Sequence, residues 1–542
     1  MLEALGFSVD SAAITERVLV KWEQARMLVV APLMRGAVFL CLVMTMMILM
    51  EKLFVGIVCL VVKIFRIKPE KRYKWEPMRN AEDLEIGGPS YPMVLVQIPM
   101  FNEKEVYRLS IGAACNLDWP ADRMMIQVLD DSTDTVVKDL VQLECQRWKN
   151  KGLNISYEYR DNRMGYKAGA LKQGMTQYYA QECEYVAIFD ADFQPESDFL
   201  KQTIPFLIHN PQVALVQTRW KFVNADECLM TRIQEMSLDY HFKIEQEAGS
   251  SVFSFFGFNG TAGVWRMSAI AEAGGWKDRT TVEDMDLAVR AGLAGWKFVY
   301  LGDINVKCEL PSTFKAYRYQ QHRWSCGPAN LFKKMIKEII ANQKVSIGKK
   351  IHVIYSFFFV GKIVAHVSTF IFYCIVIPLS VLIPDVGIPF WGVVYVPTVI
   401  TLCKSVGTPS SFHLVILWVL FENVMSLHRI KAATTGLIEA GRVNEWIVTR
   451  KLGDAVNSEP SEEEKLVDAQ MTTPLLLGNK KPKIKISRRF HMAELWMGVF
   501  LFVVGCYDVV YTKKCYFIFL FLQSWAFFVA GFDFIGTYLP KS

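Results

Sequence analysis

The chain has 542 residues, 52% of them hydrophobic and 21% charged, with a formal net charge of +6. That charge is small for the length and no reading motif gathers the basic residues, so nucleic-acid binding is excluded. The 12 cysteines contain no Cys-x-x-Cys pair and no Cys/His zinc spacing, which excludes thiolate metal sites and a disulfide framework.

In chain order, residues 14–33 mix apolar positions with Arg17, Lys21 and Arg26, the pattern of a helix lying on a membrane surface. The first long apolar run, residues 36–65, starts too far from Met1 for a cleaved signal peptide and reads as a retained membrane helix. Glu51 and Lys52 interrupt it. A Lys at the bilayer centre costs about 2.5–3.5 kcal/mol, so the two charges either sit near an interface or pair and face other helices. The basic cluster Arg66, Lys68, Lys71, Arg72 and Lys74 follows, and the positive-inside rule places it in the cytosol.

Residues 92–348 contain no membrane-length apolar run. Short strand-like segments at 93–98, 125–129, 155–159, 185–189 and 214–217 alternate with helical ones, predicting an α/β unit with a mostly parallel, doubly wound sheet. Residues 329–340 then read as an amphipathic helix whose Lys333, Lys334 and Lys337 reach headgroups. Further apolar spans fall near 352–382, 389–403, 411–427, 493–511 and 515–538, the second short enough to be re-entrant. The expected organisation is membrane helices in 1–75, an α/β domain in 76–348, and a membrane region in 349–542 with a polar insertion at about 428–492.

Ligands of doubly wound sheets bind beyond the carboxyl ends of the strands, and acidic clusters fall there. The strand ending at Leu129 delivers Asp130, Asp131 and Asp134; taken alone, the cluster reads equally as a turn and helix cap. The strand 185–189 runs into Asp190-Ala191-Asp192, two carboxylates that can approach a hard cation together and leave its other positions to phosphate oxygens. Glu283 and Asp284 precede a helical stretch, either as dipole-favoured acids at its start or as a general base for a sugar hydroxyl. In Gln320-Gln321-His322-Arg323-Trp324, Arg offers a donor fork for diphosphate and Trp a flat face for a sugar ring.

These four elements, in this order, resemble the signature of the processive family 2 glycosyltransferases: Asp, Asp-x-Asp, an acidic base motif and Gln-x-x-Arg-Trp. Gln217 to Trp220, Phe256 to Thr261 and Thr280 to Arg290 carry a finer likeness to the plant cellulose synthase-like A family, the glucomannan 4-β-mannosyltransferases. The resemblance implies a Rossmann-like family 2 glycosyltransferase domain inserted between N- and C-terminal transmembrane helices. It also implies an inverting, processive β-1,4-mannosyltransferase that extends a polysaccharide acceptor from GDP-mannose, and from GDP-glucose as second donor, with Mg²⁺ or Mn²⁺ as cofactor. Carried over by position, it gives Phe101, Glu103, Lys167 and either Asp130 or Asp131 to the donor, and Asp190 and Asp192 to the metal and diphosphate. Asp284 becomes the base with Glu283 beside it, and Asp131 joins the catalytic set. Arg323 falls to the diphosphate, and Gln320, Trp324 and Asp192 to the acceptor. Trp446 to Lys451 resembles the Phe-x-Val-Thr-x-Lys gating loop of bacterial cellulose synthase, which would bring Thr449 and Lys451 over the donor.

The family likeness implies a multi-pass Golgi membrane protein, with the side faced by the active site left open by the uncertain crossings. A cysteine-rich zinc module like that of plant cellulose synthases is absent from the sequence, which argues against cellulose synthase itself. The competing readings are a β-1,4-glucan synthase of the xyloglucan-backbone type and, in another class, a membrane transporter or scaffold.

Overall fold

The computed structural model describes residues 11–78, 91–405, 407–439 and 490–536. Seven strands form one mixed sheet in the order β3-β2-β1-β4-β6-β5-β7. They are β1 (Val94–Met100), β2 (Met124–Asp130), β3 (Ile155–Tyr159), β4 (Tyr185–Ile188), β5 (Val213–Phe222), β6 (Gly263–Arg266) and β7 (Lys297–Cys308). All neighbours are parallel except β6, which runs against β4 and β5. The near-continuous apolar strands β1, β2 and β4 are buried almost throughout, as a sheet covered on both faces requires.

The strand order reverses between β1, which pairs with β2 on one side, and β4 on the other. Side chains leaving the carboxyl ends of β1, β2 and β4 therefore face a common crevice. Five strands lie where the periodicity puts them. It missed β6, four residues long, and β7, whose alternation is broken at Gly302-Asp303, next to a register shift against β5.

Among the described residues four helices are long and apolar enough to cross a membrane: Glu16–Ile64, Ile347–Leu382, Ser411–Ile438 and Met492–Thr512. The last apolar span becomes the shorter helix Phe517–Gly531, and the span at 389–403 becomes Trp391–Tyr395 and Val396–Ser405, together too short for a crossing. The helix segment Ala31–Ile64 has 34 residues, about 50 Å at 1.5 Å per residue, against a hydrocarbon core of about 30 Å. Its far end leaves the membrane-spanning length and packs Val55 and Cys59 on Tyr240, Ile244 and Ala248 of the α/β domain.

Two boundaries differ from expectation. Gln320 to Trp324 does not precede the amphipathic helix but lies inside a longer one, Phe314–Ala341, begun by Thr313, whose side chain caps the N–H of Ala316. Residues 428–438, expected to open the polar insertion, continue the helix Val415–Ile438. There Gly436 rides so close to the Cys326 carbonyl that a Cβ would come within 2.3 Å of it, and the small residues Ala432 and Ala433 are buried. Tight packing against Phe314–Ala341 thus holds a polar sequence helical.

Candidate active site

One cavity of about 460 Å³ lies at the carboxyl ends of β1, β2 and β4 and continues between the apolar helices. Its wall contains Phe101, Glu103, Asp131, Lys167, Asp190, Asp192, Glu283, Asp284, Gln320, Arg323 and Trp324, which the chain supplies from positions more than 200 residues apart. Asp130 is the exception among the described candidates. It is fully buried, with Oδ1 accepting the Ser132 N–H at 2.9 Å and Oδ2 accepting the Tyr157 hydroxyl at 2.9 Å. Of the two candidates left open by the sequence, Asp131 lines the cavity and Asp130 does not. Asp134 caps the helix Thr135–Asn150. Thr449 and Lys451 lie outside the described residues.

Asp131 is held by Arg160, whose Nε donates to Oδ1 at 2.6 Å and whose Nη2 pairs with Oδ2; both side chains are buried. Nearby, the Arg163 guanidinium stacks 3.3 Å from the Phe101 ring centroid, building a flat cationic wall. Neither arginine was singled out in the sequence: Arg160 directly follows β3 but carries no acidic signature, and Arg163 lies in the loop beyond it.

Lys167 stands in the first turn of the helix Tyr166–Gly174, after Gly165 and Tyr166, both at positive φ. Its ammonium pairs with Asp190 and donates to the Gly260 carbonyl at 2.8 Å. The Asp190 backbone N–H donates to Thr261 Oγ1 at 2.9 Å, so the loop 259–261 braces the start of Asp-x-Asp. Among the described residues no three His, Cys, Asp or Glu form a ligand cluster. Two carboxylates on a cavity wall fit a hard cation that takes one or two of them and completes its shell with waters and phosphate oxygens.

Glu283 and Asp284 open the helix Glu283–Leu293, and Asp284 accepts the Met285 N–H at 2.7 Å. The third acid of this stretch, Asp286, is buried away from the cavity between Arg279 and Arg290, fixing the helix start. Burial pushes the Glu283 carboxyl up to about 8, with the Asp284 charge adding to it. Burial also raises Asp284, opposed by the charges of Lys167 and Arg323. Burial thus favours the protonated form of Glu283, which leaves Asp284 as the candidate base of the pair.

Gln320, Arg323 and Trp324 share one face of their helix at the i, i+3, i+4 spacing and reach the cavity together. Beyond them the wall passes to Tyr317 on the same helix and to Lys362, His366, Glu422 and Arg429 on the apolar helices. Arg429 pairs with Glu422, donates from Nε to Gln321 Oε1 at 2.8 Å and reaches the Tyr317 hydroxyl at 3.2 Å. Polar groups inside apolar runs were the available signal for this extension, since such residues face cavities rather than lipid.

A family model described as glycosyl transferase family 2 matches residues 95–262, and one described as glycosyl transferase family group 2 matches residues 185–421. The probable glucomannan 4-beta-mannosyltransferase 11 of Oryza sativa subsp. japonica is 67% identical over 514 residues, covering 92% of this chain and 90% of that protein. The glucomannan 4-beta-mannosyltransferase 9 of Arabidopsis thaliana is 62% identical over 519 residues, covering 96% of this chain and 94% of that protein. Among solved structures, the mannosyltransferase PcManGT from Pyrobaculum calidifontis, in complex with GDP-Man and Mn²⁺, covers 73% of this chain and 99% of its own at 16% identity and a TM-score of 0.45. At that level the structural likeness carries no weight for this chain.

Proposed function

The chain belongs to glycosyl transferase family 2 and, within it, to the glucomannan 4-β-mannosyltransferases, and on that premise we propose that it builds a β-1,4-linked (gluco)mannan backbone from GDP-mannose and GDP-glucose. What carries this reading is the meeting of Asp131, Asp190, Asp192, Asp284 and Arg323 on one cavity wall that runs on between membrane-length helices. That continuation suits a growing polymer that stays bound between additions. A transporter has no need for a long α/β insert carrying four ordered signatures around one cavity, and a glucan synthase is the weaker reading given relatives named for mannosyl transfer.

In this mechanism Asp131, Arg163 and Phe101 receive the nucleoside. Asp190 and Asp192 would hold a divalent cation, Mg²⁺ or Mn²⁺, which would supply Lewis-acid relief of the charge on the diphosphate. Trp324 stacks on the acceptor's terminal sugar and Gln320 orients it. Asp284 takes the proton of the acceptor 4-hydroxyl as that oxygen bonds to the anomeric carbon of the donor. The bond from that carbon to the diphosphate breaks, and Lys167 and Arg323 meet the charge on the departing GDP. One in-line displacement turns an α-linked donor into a β-linked product, so the enzyme inverts. Asp284 then returns its proton to water. The protein resides in a membrane, and the Golgi is the compartment we assign to it.

Membranes carrying the purified chain, given labelled GDP-mannose, GDP-glucose or UDP-glucose, test the donor. A mannanase-sensitive polymer from GDP-mannose is expected. A polymer made only from UDP-glucose and cut only by glucanase would overturn the assignment.

A further inference from the structure

Glu51 and Lys52 lie buried on the helix segment Ala31–Ile64, where isolated charges are costly. Lys52 Nζ sits 3.1 Å from Glu51 Oε2 and 2.8 Å from Glu245 Oε1. Glu245 belongs to the short π-helix His241–Gln246, a wide turn of the kind that recurs at functional sites. Its other oxygen lies 3.0 Å from His241 Nδ1, and His241 Nε2 lies 3.1 Å from Asn259 Oδ1.

The orientation of the Asn259 amide is determined by its neighbours. Gln246 Nε2 donates to the Gly257 carbonyl at 3.1 Å, so that atom is a nitrogen; it also lies 2.9 Å from Asn259, where an oxygen fits, and 3.2 Å from His241 Nε2. The Asn259 backbone N–H in turn donates to Gln217 Oε1 at 3.3 Å. The next two residues are Gly260 and Thr261, whose carbonyl and hydroxyl hold Lys167 and the Asp190 N–H. A line of close polar contacts and one loop therefore joins a membrane helix to the Asp-x-Asp motif.

A structural explanation alone fits this line poorly. A buried ion pair is weak evidence for stability, because apolar packing of the same volume serves as well. Among the described residues the buried Asn259 Nδ2 atom has no hydrogen-bond partner, a cost that calls for an explanation beyond packing.

We propose that Glu245, His241 and Asn259 are positioning residues: anchored by Lys52 on the membrane helix, they set the loop 259–261 and through it the geometry of Lys167 and Asp190 toward the nucleoside diphosphate. This rests on the reading of Lys167 and Asp190 as the diphosphate site. Through this line the N-terminal membrane helix helps shape the catalytic cavity, beyond any role as an anchor.

The test uses the full chain in detergent or nanodiscs, with GDP plus Mg²⁺ as the probe by calorimetry, KM for GDP-mannose and kcat measured separately, and the melting temperature as control. His241→Ala and Asn259→Ala should each weaken GDP binding and raise the donor KM by about 10-fold, the scale of one lost hydrogen bond to a charged group, with the melting temperature little moved. His241→Gln keeps a donor near the Nε2 position and should recover much of that loss, whereas His241→Asn, which reaches only Glu245, should not. Unchanged GDP binding in the alanine variants overturns the proposal. So does a loss that tracks a lowered melting temperature equally in His241→Gln and His241→Asn. Lys167→Ala separates the two layers: if it weakens GDP binding and His241→Ala does not, the relay alone fails. If Lys167→Ala has no effect, the diphosphate reading beneath it fails.

Discussion

Gly260 approaches Asp284 so closely that a Cβ on it would stand 2.9 Å from Asp284 Oδ2 and 3.4 Å from Lys167 Nζ. Its φ of +81° lies in the left-handed region, where a side chain adds about 1–2 kcal/mol of strain. Gly260→Ala should therefore lower kcat/KM for GDP-mannose by at least about 10-fold through displacement of the base or the lysine. Wild-type steady-state kinetics in this variant would show that the approach has no catalytic meaning.

Asp284→Asn keeps the shape of the helix start and removes the proton acceptor. Polymer synthesis should fall by roughly 10² to 10⁴-fold, the usual contribution of a general base, while GDP binding stays within about twofold. Synthesis by the Asn variant at wild-type rate would remove Asp284 from this role.

The acid pair also sets a pH dependence. Glu283 holds its proton up to about 8 in the folded protein, against an ordinary value of 4.5. Between those values the folded state binds more protons than the unfolded one, so stability is full below the lower value and drains away as pH rises toward the upper. Glu283→Gln abolishes that loss, and its melting temperature relative to wild type should be higher above pH ~8 than near pH ~5. The profile of kcat/KM should also lose an ionisation near pH ~8 in this variant. Parallel pH curves for the two proteins would contradict the assignment.

Arg160 and Asp131 form a buried pair in which one guanidinium bonds both carboxylate oxygens. Arg160→Ala leaves Asp131 buried without its partner, a loss of about 3–5 kcal/mol that a thermal melt should register. In Arg160→Gln/Asp131→Asn the stray charge is gone, so stability should largely return while donor KM remains raised. Full recovery of KM would make Asp131 a structural residue only.

Chelation addresses the cation. EDTA should stop polymer formation, Mg²⁺ or Mn²⁺ should restore it, and Asp192→Ala should resist rescue at any practical concentration. Transfer that persists in EDTA would exclude Asp190 and Asp192 as the metal-holding pair.

Much of this site was legible in the linear chain because Asp131, Asp190 and Asp192 follow strand ends, where a doubly wound sheet must present ligands, and Glu283 and Asp284 open a helix. Asp190 and Asp192 follow a fully buried apolar strand, and that local pattern suffices to place them. The separate duties of Asp130 and Asp131 were not legible, since neighbouring residues of one type at a strand end differ only in which way each side chain turns. Arg160 and Arg163 were likewise hidden: each acquires its partner from a segment about 30 to 60 residues earlier. The strand β7 escaped because Gly302 and Asp303 interrupt its alternation.

Sequence by itself determined the apolar runs that need a membrane, the strand and helix periods of the intervening domain, and the inventory of acids available for metal and proton chemistry. These depend on neighbours within a few turns or strands. The tertiary structure alone decided that Lys52 meets Glu245 across 193 positions, and that Gln320, Arg323 and Trp324 share a wall with Asp190. Such pairings arise from how helices pack on the sheet and on one another, and local periodicity does not encode which distant side chain fills a given gap.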